Sequence, residues 1–189
     1  MKIVLASASP RRKELLKLVF NSFDIRPADV DEVLPDNILT ENAAEYLADI
    51  KAGAINGSEK EMIIGVDTIV VCNNEILGKP ENRDDCQRML KILSGNTHFV
   101  YTGVCILYNN KKYSFTEKTE VTFHFLSDTE INNYMNTGEP FDKAGGYGIQ
   151  GRGALLVKCI NGDYFNIVGL PVSRLNREIK KIIKKDSLI

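Results

Sequence analysis

An α/β fold on a mixed sheet with flanking helices is what the sequence predicts, and three observations carry the prediction. Short β-branched runs interleave with segments of helical apolar spacing along the 189-residue chain. Several strand runs are joined by short polar turns, a connection open to antiparallel neighbours and closed to parallel ones. No internal repeat, low-complexity tract or long linker interrupts the pattern, so a single domain over residues 1–189 is expected.

Residues 2–6 form an apolar run that reads as a buried strand. Ser9 is a natural N-cap and Pro10 a natural first helical residue for a helix over 10–20, with Leu15, Leu16, Val19 and Phe20 at helical spacing. A second helix is read over 36–58, with Ala44, Leu47, Ala48 and Ile55 on one side. Residues 62–71 read as a strand that turns at Asn73-Asn74 into a short partner at 76–77. A helix over 82–93 stops at Ser94-Gly95-Asn96, and two antiparallel strands over 98–108 and 113–125 are joined through Asn109-Asn110. Ser127 with Glu130 forms a capping box for a helix that closes near Gly138. The glycine-rich segment 139–153 reads as a loop. Residues 155–160 and 164–168 read as a hairpin turning at Asn161-Gly162, and the last helix starts at Pro171 and runs into a basic tail.

Composition excludes several function classes. Lys plus Arg number 24 and Asp plus Glu 25, a net charge of -1 that exerts no global pull toward nucleic acid or an anionic membrane. Lysines 180, 181, 184 and 185 lie on a helix whose apolar positions Ile179, Ile182 and Ile183 face inward, so they read as its solvated face. No apolar run approaches the ~20 residues of a membrane span, and the run from Ile3 to Ala6 is far too short for a signal peptide. Cys72, Cys86, Cys105 and Cys159 are scattered, with no metal-ligand or disulfide spacing. A soluble, cytoplasmic protein is expected, with neither nucleic acid nor membrane as partner.

The candidate chemistry sits in three places. In Ser7-Ala8-Ser9-Pro10-Arg11-Arg12 a strand ends, small residues turn the chain, and a helix opens beside two guanidinium groups. Such a turn can bind a phosphate, although taken alone it reads first as a plain helix cap with two solvated arginines. Asp67 stands inside the apolar run 63–71, where a carboxylate is costly to bury unless paired, hydrogen-bonded or bound to a metal. The Asp29-Val30-Asp31-Glu32 cluster holds further carboxylates that, with Asp67, can complete an oxygen-ligand site for Mg²⁺ or Mn²⁺. Lys51, Lys79 and Lys143 add cations. The loop 138–151 mixes glycines with Glu139, Asp142, Lys143 and Gln150, and a loop so long without structure of its own is usually functional. Together these features suggest phosphoanhydride chemistry.

Five motifs, Ser7-Ala8-Ser9-Pro10-Arg11-Arg12, Gly65-Val66-Asp67-Thr68, Gly78-Lys79-Pro80, the run from Asp142 to Gly151, and Val168-Gly169-Leu170-Pro171, resemble in order those of the Maf family. The resemblance implies an elongated, two-lobed α/β fold with a central cleft, related to inosine triphosphatases and often dimeric. It implies a nucleoside triphosphate pyrophosphatase that cleaves between the α- and β-phosphates, in a family first associated with inhibition of septum formation. Arg11, Thr68 and Gln150 match the subfamily acting on dTTP and UTP; the subfamily preferring 7-methyl-GTP carries tryptophan, glutamine and glutamate there. Tyr46 and Ile50 stand where the family usually has an arginine and a glutamate ahead of Lys51.

On this resemblance the nucleotide is the expected partner, with a homodimer as the expected assembly. Asp67, helped by Glu32, is expected to hold Mg²⁺ or Mn²⁺ and to activate water, with Asp67 as proton acceptor. Arg12, Lys51 and Lys79 are expected to clamp phosphate oxygens, with Ser7 and Ser9 in the phosphate-binding turn. Arg11, Thr68 and Gln150 are expected to read the base. Two alternatives stay open: a nucleotide-binding regulator of septum formation without turnover, and the same chemistry on CTP or 7-methyl-GTP.

Overall fold

The computed structural model describes residues 1–186, so residues 187–189 of the expected domain lie outside the described part. In chain order the elements are β1 (Lys2–Leu5), α1 (Pro10–Leu16), β2 (Asp24–Ile25), α2 (Thr40–Gly53), β3 (Glu61–Cys72), β4 (Glu75–Leu77), α3 (Arg83–Leu93), β5 (Thr97–Tyr108), β6 (Lys111–Phe123), α4 (Asp128–Met135), β7 (Val157–Asn161), α5 (Tyr164–Val168) and α6 (Val172–Asp186). All seven strands belong to one sheet of order β2-β1-β3-β5-β6-β7, with β4 also on β3. β1 runs parallel to β2 and β3, and every other pair is antiparallel, which makes the sheet mixed as expected.

Local signals place most boundaries. The Ser9 side chain caps α1 with Pro10 in its first turn, Asn82 caps α3, and the Ser127–Glu130 capping box opens α4. Asn73-Asn74 and Asn109-Asn110 all take positive φ, the left-handed geometry that lets a two-residue turn follow the twist of a hairpin.

Three expectations change. Residues 164–168 are helix α5, not a strand. The Asp163 carboxylate accepts the Phe165 N–H at 2.8 Å and so starts a turn, and a five-residue run is too short for periodicity to separate helix from strand. β7 pairs with β6 instead. The glycine-rich segment is not free loop but holds three 3₁₀ turns, Glu139–Asp142, Ala144–Gly146 and Gly151–Leu156. The first two helices are shorter than read, spanning Pro10–Leu16 within the expected 10–20 and Thr40–Gly53 within the expected 36–58.

The sheet has two unlike faces. On one, α2 lies against β3 and β5, with Ala43, Ala44, Leu47, Ala48 and Ala52 buried beneath it. The approach is close: a Cβ on Gly65 would stand 2.2 Å from the Ala48 carbonyl oxygen, and one on Gly103 equally near Ala44. The other face carries two separate cores. Met62, Ile64, Val66, Val104 and Ile106 pack with α1, α5 and α6 at one end, while Val70, Cys72, Val100, Val121 and Phe123 pack with α3 and α4 at the other. These are the two lobes. Between them lies a polar row, Thr68 opposite Thr102 opposite Glu117, where neither core continues.

The lobes part at a gap in the sheet. One edge of β3 is fully occupied by β5 across Ile63–Val71. On its other edge, β1 pairs only with residues 61–64 and β4 only with residues 70–72. Residues 65–69 therefore have no strand beside them on that edge, and the chain leaving β1 and the chain leaving β4 wall a cleft of about 740 Å³ there.

Candidate active site

Successive residues of a strand point to opposite faces, so a gap in the edge of β3 exposes both faces to one cleft. Asp67 enters it from the α2 face and Thr68 from the two-core face, and both line the cleft. Every site residue expected from the sequence also lines it: Ser7, Ser9, Arg11, Arg12, Glu32, Lys51, Asp67, Thr68, Lys79 and Gln150.

Asp67 is only 6% exposed. Lys51, one helical face position along from Ala48 and Ala52, reaches it from α2 with Nζ 2.5 Å from Oδ1. The same ammonium lies 2.8 Å from Oε1 of the exposed Glu32, so one cation bridges two carboxylates from different segments. Glu32 and Asp67 thus orient Lys51, although the usual family glutamate is replaced by Ile50. Burial raises the pKa of Asp67 above the ordinary aspartate value, against the opposing pull of Lys51 and Arg12.

Arg12 lines the same stretch of β3 from the two-core side. Its Nε donates to the Gly169 carbonyl at 3.0 Å, Nη1 to Ser7 Oγ at 3.1 Å and Nη2 to Thr68 Oγ1 at 3.1 Å. Burial lowers its pKa, and Asp67 and Glu32 push back; a guanidinium stays charged regardless. Ser7 Oγ also accepts the Ser9 N–H, and Ser9 Oγ the Arg12 N–H, so both serine oxygens serve the turn itself.

The remaining wall is less committed. Lys79 is exposed and, among the described residues, has neither an ion pair nor a hydrogen bond. Arg11 reaches across the mouth to Asp142 at 3.5 Å, and Lys143 binds Asp142 and the Glu139 carbonyl, each at 2.5 Å. Gln150 is exposed between two anchors. On one side the Gly148 N–H donates to Tyr134 Oη at 3.1 Å; on the other the Glu139 carboxylate accepts the Arg152 N–H at 3.0 Å.

Thr68 lines the cleft with its side chain already bonded to neighbours. Its hydroxyl is engaged with Arg12 and, at 2.9 Å, with Thr102, rather than presented freely to a ligand. The sequence reading omits Thr102, Asn166 and Gly169, which hold this wall. The signals for them are slight: a threonine at an inward position of an alternating strand, and an asparagine inside the apolar run 164–168.

The donor set bears on a metal. Among the described residues no three His, Cys, Asp or Glu side chains gather as an ion cage. Asp67 and Glu32 nevertheless supply hard oxygens at one point of the cleft. That suits Mg²⁺, which usually binds one or two carboxylates and takes the rest of its shell from water and substrate phosphates.

Residues 2–182 match the family described as Maf-like protein. The chain belongs to the Maf-like family. A dTTP/UTP pyrophosphatase of Geobacillus sp. (strain WCH70) is 50% identical over 182 residues, covering 96% of this chain and 98% of the relative. A dTTP/UTP pyrophosphatase of Bacillus cereus (strain G9842) is 48% identical over 181 residues, covering 95% of each. Among solved structures, the Ham1 protein of Staphylococcus aureus is similar at a TM-score of 0.45 and 16% identity, over 65% of this chain and 72% of that one.

Proposed function

We propose that this Maf-like protein hydrolyses dTTP and UTP to the nucleoside monophosphate and pyrophosphate. The observation that carries the reading is the pairing of a buried carboxylate, Asp67, with Lys51 in a cleft that Arg12 also lines. It is supported by near full-length likeness to relatives named for that activity.

Water attacks the α-phosphorus, the bond to the bridging oxygen of the β-phosphate breaks, and pyrophosphate leaves. Asp67 accepts the proton of the attacking water, a task that suits a carboxylate whose pKa burial raises. Asp67 and Glu32 would hold a Mg²⁺ or Mn²⁺ ion. Such an ion, when bound, lowers the pKa of water and offsets phosphate charge. Lys51 stands between the two carboxylates and keeps a positive charge where the phosphate oxygens arrive. Arg12 and Lys79 clamp those oxygens from two sides, since phosphoryl transfer is mostly positioning and charge stabilisation. The Ser7 and Ser9 oxygens accept within the turn, which leaves each hydroxyl proton for a phosphate oxygen. Arg11 and Gln150 read the pyrimidine edge, where two carbonyl acceptors flank an N–H donor, and Thr68 contributes by aiming Arg12.

The reading includes one domain over residues 1–189, a cytoplasmic location and a homodimer; a monomer mass on sedimentation would remove the last. The described residues contain no helix long and apolar enough to cross a membrane. The test of the function is pyrophosphate release by the purified protein with Mg²⁺ or Mn²⁺ across dTTP, UTP, CTP, GTP, ATP and 7-methyl-GTP. Release confined to dTTP and UTP is expected, with Asp67→Asn slower by about 10³-fold or more at unchanged melting temperature. No release from any of them, or a fully active Asp67→Asn, sinks the reading.

A further inference from the structure

Thr102 is fully buried in the middle of the sheet, directly opposite Thr68 and in the one row where neither hydrophobic core continues. Its hydroxyl touches two oxygens, Thr68 Oγ1 at 2.9 Å and the Asn166 carbonyl oxygen at 3.0 Å. A carbonyl cannot donate, so the single Thr102 proton goes to Asn166. Thr68 must then donate to Thr102, and with its own proton spent it meets Arg12 Nη2 with a lone pair only.

The polarity continues into a closed circuit. The Asn166 carbonyl also accepts the Gly169 N–H at 3.0 Å, and the Gly169 carbonyl accepts Arg12 Nε, again at 3.0 Å. Two arms leave the guanidinium, one through Thr68 and Thr102, the other through Gly169, and both end on the Asn166 oxygen. The Asn166 side chain fastens that meeting point to the sheet, donating to the Val100 carbonyl at 3.0 Å and to Thr119 Oγ1 at 2.9 Å.

We infer that Thr102 is a positioning residue that fixes the hydroxyl polarity of Thr68 and, through it, the rotation of the Arg12 guanidinium in the cleft. Its consequence for turnover rests on the pyrophosphatase reading; its action on Arg12 does not. Without the Thr102 oxygen, the Thr68 proton loses its acceptor and can swing toward Arg12, setting donor against donor. A cross-strand threonine pair that merely steadied the sheet would act on stability alone.

The test uses the full chain with Thr102→Val, which keeps the shape and removes the hydroxyl, and with Thr102→Ser, Thr68→Val and the double valine variant. Three quantities are read: kcat/KM for pyrophosphate release from dTTP with Mg²⁺, the melting temperature, and the rotation rate of the ¹⁵N-labelled Arg12 guanidinium by NMR. Thr102→Val is expected to lower kcat/KM about tenfold and to speed guanidinium rotation, while Thr102→Ser restores both to within about twofold. Because the circuit acts as a unit, the double variant is expected to be no slower than Thr68→Val alone. Thr102→Ala takes the place of Thr102→Val should the latter fail to fold. Unchanged rotation in Thr102→Val, or losses that multiply in the double variant, would overturn the assignment. A wild-type protein that releases no pyrophosphate, yet shows the expected changes in rotation, would remove the function and leave the circuit standing.

Discussion

The two walls of the cleft are built on opposite plans. The wall of Arg12, Asp67 and Lys51 is saturated: Arg12 and Lys51 are each held by partners from more than one segment, and Asp67 is buried against Lys51. The wall of Lys79 and Gln150 is open, with both side chains exposed and Lys79 without a partner among the described residues. Groups fixed before substrate arrives need no reorganisation during reaction, which suits charge that develops in a transition state. Groups left free suit a ligand whose binding orders them. On the proposed function, the contrast gives the chemistry to the first wall and the capture of substrate to the second.

Lys51→Met breaks the first wall most directly. It leaves Asp67 buried without its ammonium and Glu32 without its anchor. A buried carboxylate so stranded takes up a proton rather than remain charged, and a protonated Asp67 can neither accept a proton nor hold a cation. The expected loss is about 10²-fold or more in kcat, with the loss easing as pH rises and Asp67 ionises again. A pH-rate profile of wild type and variant checks it. Equal profiles would show that Lys51 does not govern Asp67.

How far the two walls are legible in sequence follows from where their partners lie. The Ser9-Pro10 cap and the charge of Asp67 within an apolar strand are local signals, and the structure bears out the helix start and the buried carboxylate. The mixed sheet is legible from its Asn-Asn turns. The gap in β3 is not, since it arises because β1 and β4 both stop short along one edge of a 12-residue strand. The hydrogen bonds of the Arg12 guanidinium reach residues 5 to 157 positions away, and no spacing encodes that. The reading of 164–168 as a strand fails for the same reason: Asn166 is buried to bond β5 and β6, not to continue a hairpin.

Lys79→Ala probes the open wall and sharpens the contrast. An exposed ammonium with no partner to lose costs nothing in stability, so the melting temperature should stay within about 1 °C of wild type. Its proposed contact with a phosphate lies near solvent, where screening is strong, so KM is expected to rise about five- to tenfold with kcat nearly kept. The KM difference should shrink as salt is added. A collapse of kcat instead would move Lys79 to the chemical wall and erase the distinction between the two.

The last expected effect falls on stability rather than turnover and concerns what supports the open wall from below. His98 is fully buried in the core beneath it, and its Nε2 shares a 2.8 Å hydrogen bond with Tyr147 Oη, which ties the glycine-rich segment to the sheet. Among the described residues its Nδ1 has no hydrogen-bond partner, and Phe123 and Tyr147 flank the ring edge-on. Desolvation pushes its pKa down to about 4, whereas the unfolded chain would titrate near 6.5. The fold therefore holds neutral His98, and its contribution is complete above pH 6.5. As pH falls, the unfolded chain takes up the proton first, and stability is lost until the folded form also protonates near pH 4. Between pH 7.5 and pH 5 the 1.5 units below the unfolded value correspond to about 2 kcal/mol. His98→Gln keeps an amide near Tyr147 and does not titrate, so urea midpoints at the two pH values should fall further for wild type than for the variant. Parallel slopes would mean that His98 gains a partner for its second proton on acidification. Acid would then leave the seam between the sheet and the open wall intact.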